Sequence, residues 1–231
     1  MDSRQKKARV AGLLYLFIVV TGIFSLLYVP RRIIVRGDAT ATAANILAHE
    51  GLFRFGIVNS VMSTILFLFV ALALYRLLAD VHRGLATVMV ILVAIQIPFG
   101  LADQANQLGA LILVRPAEFL APFTKLQRDA LAMLLIEISA KATFVIEMFW
   151  GLWLLPLALL IWRSTFLPRF LGVWLSINGL GYMALSVVAL LAPERYGLLL
   201  RLAFPVLLGE LALTLWLLVR GARPLAASIG R

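Results

Sequence analysis

The sequence has no cysteine and only two histidines in 231 residues. Without cysteine there is no disulfide framework, no thiolate metal site and no cysteine nucleophile. His49 and His82 fall in connecting segments expected on opposite faces of a membrane, so they cannot share a haem or a metal. Charge is also scarce: 14% of residues are charged, against roughly a quarter in a soluble domain. Glycine-rich phosphate loops and the HExxH and GxSxG patterns do not occur. These absences remove the commonest cofactor and nucleophile chemistry. No cofactor and no metal are expected, and enzymatic activity is the weakest functional expectation.

What fills the chain instead is apolar. Hydrophobic residues make up 63%, and the mean hydropathy is +1.01. A hydrocarbon core about 30 Å thick needs about 20 apolar helical residues. Six such runs occur, at about 10–29, 54–75, 85–108, 142–162, 170–191 and 201–219. The first is too long for a signal peptide and ends without a small-x-small cleavage site, so it reads as an anchor. The expected fold is therefore all-α and integral to the membrane. It is a single bundle of six transmembrane helices over residues 1–231, one domain because the connections are short.

The net charge is +10. On a soluble protein this would suggest nucleic acid, but here the basic residues sit at the ends of apolar runs. That placement predicts membrane orientation and contact with lipid phosphate, and no nucleic-acid partner. Segments 1–9, 76–84, 163–169 and 220–231 hold Arg4, Lys6, Lys7, Arg9, Arg76, Arg83, Arg163, Arg169, Arg220, Arg223 and Arg231. Their basic density exceeds that of the longer segments 30–54, 115–128 and 193–201, which puts both termini on the cytoplasmic side. Within 30–54, "GDATATAANILAHEG" predicts a short interfacial helix between spans one and two. Asp38 caps its start, Gly51 ends it, and Ile46 and Leu47 dip toward lipid. "PAEFLAPFTKLQRDA" reads as a surface loop feeding span four.

Several phrases carry a resemblance: "ARVAGLLYLFIVVTGI" (8–23), "ATAANILAHEGLFRFGI" (41–57), "RSTFLPRFLGVWLSINGLGYMALSVVALLAP" (163–193) and "GELALTLWLLVRGAR" (209–223). Together they resemble the bacterial membrane family called domain of unknown function 4386. The resemblance implies a multi-span helical protein of a bacterial cytoplasmic membrane. It supplies no catalytic residue, because the family has no established activity.

Depth along each helix sorts the polar residues. From residue 128 to Arg163 a helix is about 50 Å long, more than a bilayer core needs. Glu137 and Lys141 then belong to a solvated extension, four apart in the favourable acid-first order. Glu147 lies inside the core. Gln96, Asp103 and Gln107 share one face of span three. Asn59 and Ser63 lie in the outer half of span two, with Arg54 at its entrance and Ser25 at similar depth in span one. Arg54, Asn59, Gln96, Asp103, Gln107 and Glu147 are thus the candidate ligand-binding residues of an outer polar pocket, with Arg54 expected to pair with Asp103 or Glu147. The bland alternative is interhelical hydrogen bonding.

A deeper layer holds Glu210, near the middle of span six, and the stripe Asn178, Tyr182 and Ser186 on span five. Glu210 is expected to face the bundle, protonated or hydrogen-bonded to Asn178, Gln96 or Tyr182. Asn178, Tyr182 and Glu210 are the candidate buried polar or proton-handling residues. Gly172, Gly179 and Gly181 are expected to let span five approach a neighbour closely, and Pro98, Pro156 and Pro205 to kink their helices. The leading function is binding or transport of a small or amphipathic molecule, with membrane lipid or a small molecule as ligand. The alternatives are an accessory subunit with a membrane-protein partner and an intramembrane acid–base enzyme.

Overall fold

A computed structural model describes residues 3–223. Arg231, one of the basic residues used to orient the chain, lies outside the described residues. Those residues form helices and no strand. Six helical segments are long and apolar enough to cross a membrane: Ser3–Ile33, Glu50–Leu78, Arg83–Val114, Lys125–Arg163, Arg169–Leu191 and Pro193–Val219. The protein is a six-span, multi-pass helical membrane protein.

Three of the spans are interrupted. Span one runs as α1 (Ser3–Ile23), a π-helical turn (Phe24–Tyr28) and α2 (Val29–Ile33). Pro30 has no N–H to give, and the wider turn before it lets Val29 N–H bond Phe24 O. Span two is the unbroken α4 (Glu50–Leu78), which follows α3 (Ala39–Ala48). Span three divides at Ile95 into α5 (Arg83–Ala94) and α6 (Gln96–Val114), three residues before Pro98. Its start is capped by His82, whose Nδ1 accepts from Leu85 N–H at 3.1 Å. Span four is α7 (Lys125–Arg163), which continues through Pro156. Glu137 and Lys141 are both exposed on it. Span five is α8 (Arg169–Leu191). Span six breaks at Leu208 between α9 (Pro193–Leu207) and α10 (Gly209–Val219).

The short helix between spans one and two is present, with two corrections. Asp38 caps it as expected, accepting from Ala41 N–H at 2.8 Å. It ends at Ala48, and Gly51 belongs to the first turn of α4 instead. Ile46 does not dip into lipid. It is fully buried in a protein core with Val29, Ile33, Phe53 and Leu111, while Leu47 is exposed. The α3 chain is also tied down by polar bonds: Asn45 Nδ2 donates to Ile33 O, and Thr42 bonds the backbone of Val35. Those bonds fix which α3 face points inward.

Backbone packing groups the chain into two compact units. One holds Met1–Phe17, Leu66–Gln96 and Phe144–Arg231; the other holds Ile18–Ile65 and Ile97–Thr143. The second unit contains α3 and its core. In the first unit, glycines set the helix spacing. A Cβ on Gly151 would stand 2.4 Å from Gly179 O, and one on Gly179 would stand 2.8 Å from Gly151 O. Gly172 meets Ala158 O in the same way at 2.7 Å. So α7 and α8 run backbone against backbone. Gly181 does not take part: its nearest neighbours stand at ordinary contact distance, 3.7 Å and beyond. Gly12 brings α1 equally close to α10, at Leu217 and Leu218.

Candidate functional site

The two glycine crossings decide which polar groups meet. Glu147 is one turn before Gly151 on α7, and Tyr182 is three residues after Gly179 on the antiparallel α8. Tyr15 is one turn after Gly12 on α1, and Glu210 is seven residues before Leu217 on α10. Each crossing therefore aligns a carboxylate with a tyrosine-bearing helix.

The result is a file of groups along one side of α7. Tyr196, near the start of α9, donates its hydroxyl to Glu147 Oε1 at 2.7 Å. Its ring packs on Phe144, with centroids 4.8 Å apart. Three residues further along α7, Trp150 meets the Tyr182 ring edge-on, with centroids 5.8 Å apart. Three further still, Trp153 contacts the Tyr15 ring at 6.0 Å. Tyr15 in turn donates its hydroxyl to Glu210 Oε1 at 2.9 Å. Spacing of three along a helix keeps Glu147, Trp150 and Trp153 on neighbouring faces.

The file ends at the break in span six. Leu208 interrupts the helix, and the carbonyls freed there find side-chain donors: Trp174 Nε1 bonds Val206 O at 3.0 Å, and Asn178 Nδ2 reaches Leu207 O at 3.4 Å. Backbone that leaves the helix at membrane depth needs such partners. Gly209 fits against Trp174 and Asn178, where a Cβ would be tight. Glu210 follows in the first turn of α10, the end of a half-helix where the dipole favours negative charge.

Both carboxylates are bonded to phenols, and neither forms an ion pair among the described residues. Glu147 is 6% exposed, and its Oε2 has no protein partner. Asn178 Oδ1 and Ser186 Oγ, on residues that are 0% exposed, also lack one.

The remaining predicted residues are mostly occupied. Arg54 pairs with Glu50 and not with Asp103 or Glu147: its Nε stands 2.6 Å from Glu50 Oε1, and Arg115 also approaches that carboxylate at 3.5 Å. The physical reason is proximity. Glu50 is one turn earlier on the same helix, so the guanidinium finds an acid close by while its side chain stays 48% exposed. Asn59 Nδ2 donates to Ser25 Oγ at 2.7 Å and Thr21 O at 3.0 Å, tying span two to span one. Asp103 Oδ2 accepts from Gln104 Nε2 and Gln107 Nε2. Gln96 is buried at the break in span three, with Nε2 on Leu92 O and Oε1 without a partner. Arg54, Asn59, Asp103 and Gln107 belong to the second unit; Gln96, Glu147, Asn178, Tyr182 and Glu210 belong to the first.

Two cavities stand out, and neither is lined by these residues. One of about 440 Å³ lies at the Pro116–Phe123 loop beside Arg128. The other, about 330 Å³, is an apolar groove of α7 and α8 between Trp162 and Ile177. Glu210 faces protein as expected, but its partner is Tyr15 and not Asn178, Gln96 or Tyr182. The available signal for Tyr15 is a tyrosine well inside an apolar run, away from the interface where tyrosines gather. Tyr196, in "APERYG", carries no such signal, because it reads as an interfacial tyrosine.

A family model described as Domain of unknown function (DUF4386) matches residues 10–221. The chain belongs to that family. No curated protein and no solved structure matches it. For this DUF4386 chain, membership agrees with the six-span helical architecture and assigns no activity, so function rests on the file itself.

Proposed function

We propose that the protein binds, and moves within the membrane, a small amphipathic molecule that carries a positive charge, with Glu147 as its anchor. One observation carries this reading: a buried carboxylate within a membrane span, bonded to a single phenol, with its second oxygen unpartnered and no ion pair among the described residues. An ionisable group in such a place is retained for a partner or a proton. The rings of Tyr196, Phe144 and Trp150 next to it suit the apolar body of an organic cation, and an aromatic face adds attraction for the charge. We assign the bilayer supplying the ligand to a bacterial cytoplasmic membrane on the family resemblance, and place both termini inside on the basic residues at the span ends.

The test is equilibrium binding of tetraphenylphosphonium to the purified protein in nanodiscs. Saturable binding is expected, weakened at least tenfold by Glu147→Gln and unchanged by Arg54→Gln. Binding that is absent, or equal in the Glu147→Gln protein, removes this reading. An accessory role in a membrane complex is the second reading. It is favoured by Asn59, whose amide ties span two to span one, and by Asp103 and Gln107, whose polar groups are satisfied within α6.

A further inference from the structure

We propose that the first unit contains a hydrated proton path from Tyr196 and Glu147 to Glu210 at the break in span six. The path shares its entrance, Glu147 with Tyr196 and Trp150, with the binding reading above, and its far end at Tyr182 and Glu210 is its own.

Three observations support it independently of any ligand. The first is the order of contacts. Tyr196 bonds Glu147, Tyr182 packs on Trp150, Tyr15 packs on Trp153, and Tyr15 bonds Glu210. Glu147 to Trp153 is six residues, about 9 Å along α7. Glu210 is ten residues before Arg220, about 15 Å, which is half of a core about 30 Å thick. The second is the set of oxygens without a protein partner: Glu147 Oε2, Ser186 Oγ and Asn178 Oδ1. Ser186, Tyr182 and Asn178 are one turn apart on α8, so they form a stripe beside the file. Buried polar atoms of this kind are satisfied by internal water, which needs two to four polar neighbours. The third is the broken helix, the feature that membrane carriers place at mid-depth ion sites.

The chemistry balances without an added reactant. A proton from water protonates Glu147. It then passes through water to Tyr182, whose phenol oxygen accepts one proton as it releases its own, and reaches the Glu210 carboxylate. At each step an O–H bond breaks on the donor as another forms on the acceptor. The titratable groups facing this route are Tyr196 from α9, Tyr182 from α8 and Tyr15 from α1. The α4 neighbour of Trp153 is Phe67, which does not titrate.

The test is a pH jump on proteoliposomes adsorbed to a solid-supported membrane. A proton that moves to mid-depth displaces charge across part of the bilayer and gives a transient current. The unmodified protein should show it, Glu210→Gln should abolish it, and Tyr182→Phe should slow it at least tenfold. A wild-type trace equal to that of empty liposomes overturns the path, as does a transient that persists in Glu210→Gln or keeps its rate in Tyr182→Phe. Tyr182→Phe preserves the ring and guards against misfolding of the Glu210 variant. Tetraphenylphosphonium binding separates the two ideas. Glu210→Gln should keep that binding while losing the current, and a wild-type protein that binds but gives no current defeats the path alone.

Discussion

Tyr15 places its hydroxyl on the Glu210 carboxylate. The residue is 2% exposed, and its ring is held by Trp153, so the donor arrives at Glu210 already oriented. Interhelical hydrogen bonds in membranes contribute about 0.6 kcal/mol on average and about 1.7 kcal/mol at most. Tyr15→Phe removes the donor and keeps the ring. A cycle with Glu210→Leu, which removes the acceptor, measured by unfolding in mixed micelles, should give a coupling of about 0.6–1.7 kcal/mol; zero coupling would mean the bond contributes nothing. At this scale the sequence was partly readable. Glu210, Glu147 and Tyr182 stand out because polar residues are rare in apolar runs. Their partners do not, because a hydroxyl on a tyrosine in span one can be matched to an acid in span six only when the helix crossing is known. Arg54 shows the converse: a plausible partner by depth lost to an acid one turn away.

Helices give a different lesson. Each span was visible from its length and hydropathy, and α3 from its cap at Asp38. The interruptions were not placed by proline alone. Pro156 leaves α7 continuous, while Pro205 lies three residues before the break at Leu208. What holds the break there is tertiary: donors from Trp174 and Asn178, and a glycine that fits between them. The same distinction separates the glycines. Gly151→Ala would push a methyl into the Gly179 carbonyl, and backbone cannot swing aside as a side chain does. Overpacking of this kind costs about 1–3 kcal/mol. It should also shift α7, with Glu147 and Trp150, away from α8 and reduce both tetraphenylphosphonium binding and the proton transient. Gly181→Ala, two residues beyond Gly179, meets only ordinary contacts and should leave stability within about 0.5 kcal/mol of wild type. Equal unfolding midpoints for the two variants would show that the α7–α8 crossing is looser than the contacts indicate.

Across the whole molecule, the arrangement in the membrane follows from an even number of spans and from where charge is tolerated. Six crossings return the chain to the side on which it began. Ser3, before span one, and Ala117, between spans three and four, are then on opposite faces. Lysine and arginine near span ends set orientation, because moving them across the bilayer is costly and the cytoplasmic leaflet attracts them. The N-terminal segment carries Arg4, Lys6, Lys7 and Arg9 within six residues. The basic residues of the opposite set are spread over longer connections, and two of them, Arg54 and Arg115, are partly neutralised by Glu50. The protein has no cysteine, so Ser3→Cys and Ala117→Cys each introduce a unique thiol. A membrane-impermeant maleimide applied to intact cells should label Ala117→Cys, and label Ser3→Cys only after the membrane is opened. Labelling of both from outside would refute the six-span topology. Labelling of Ser3→Cys alone would keep the six spans and reverse the orientation, placing the Tyr196 entrance on the cytoplasmic face.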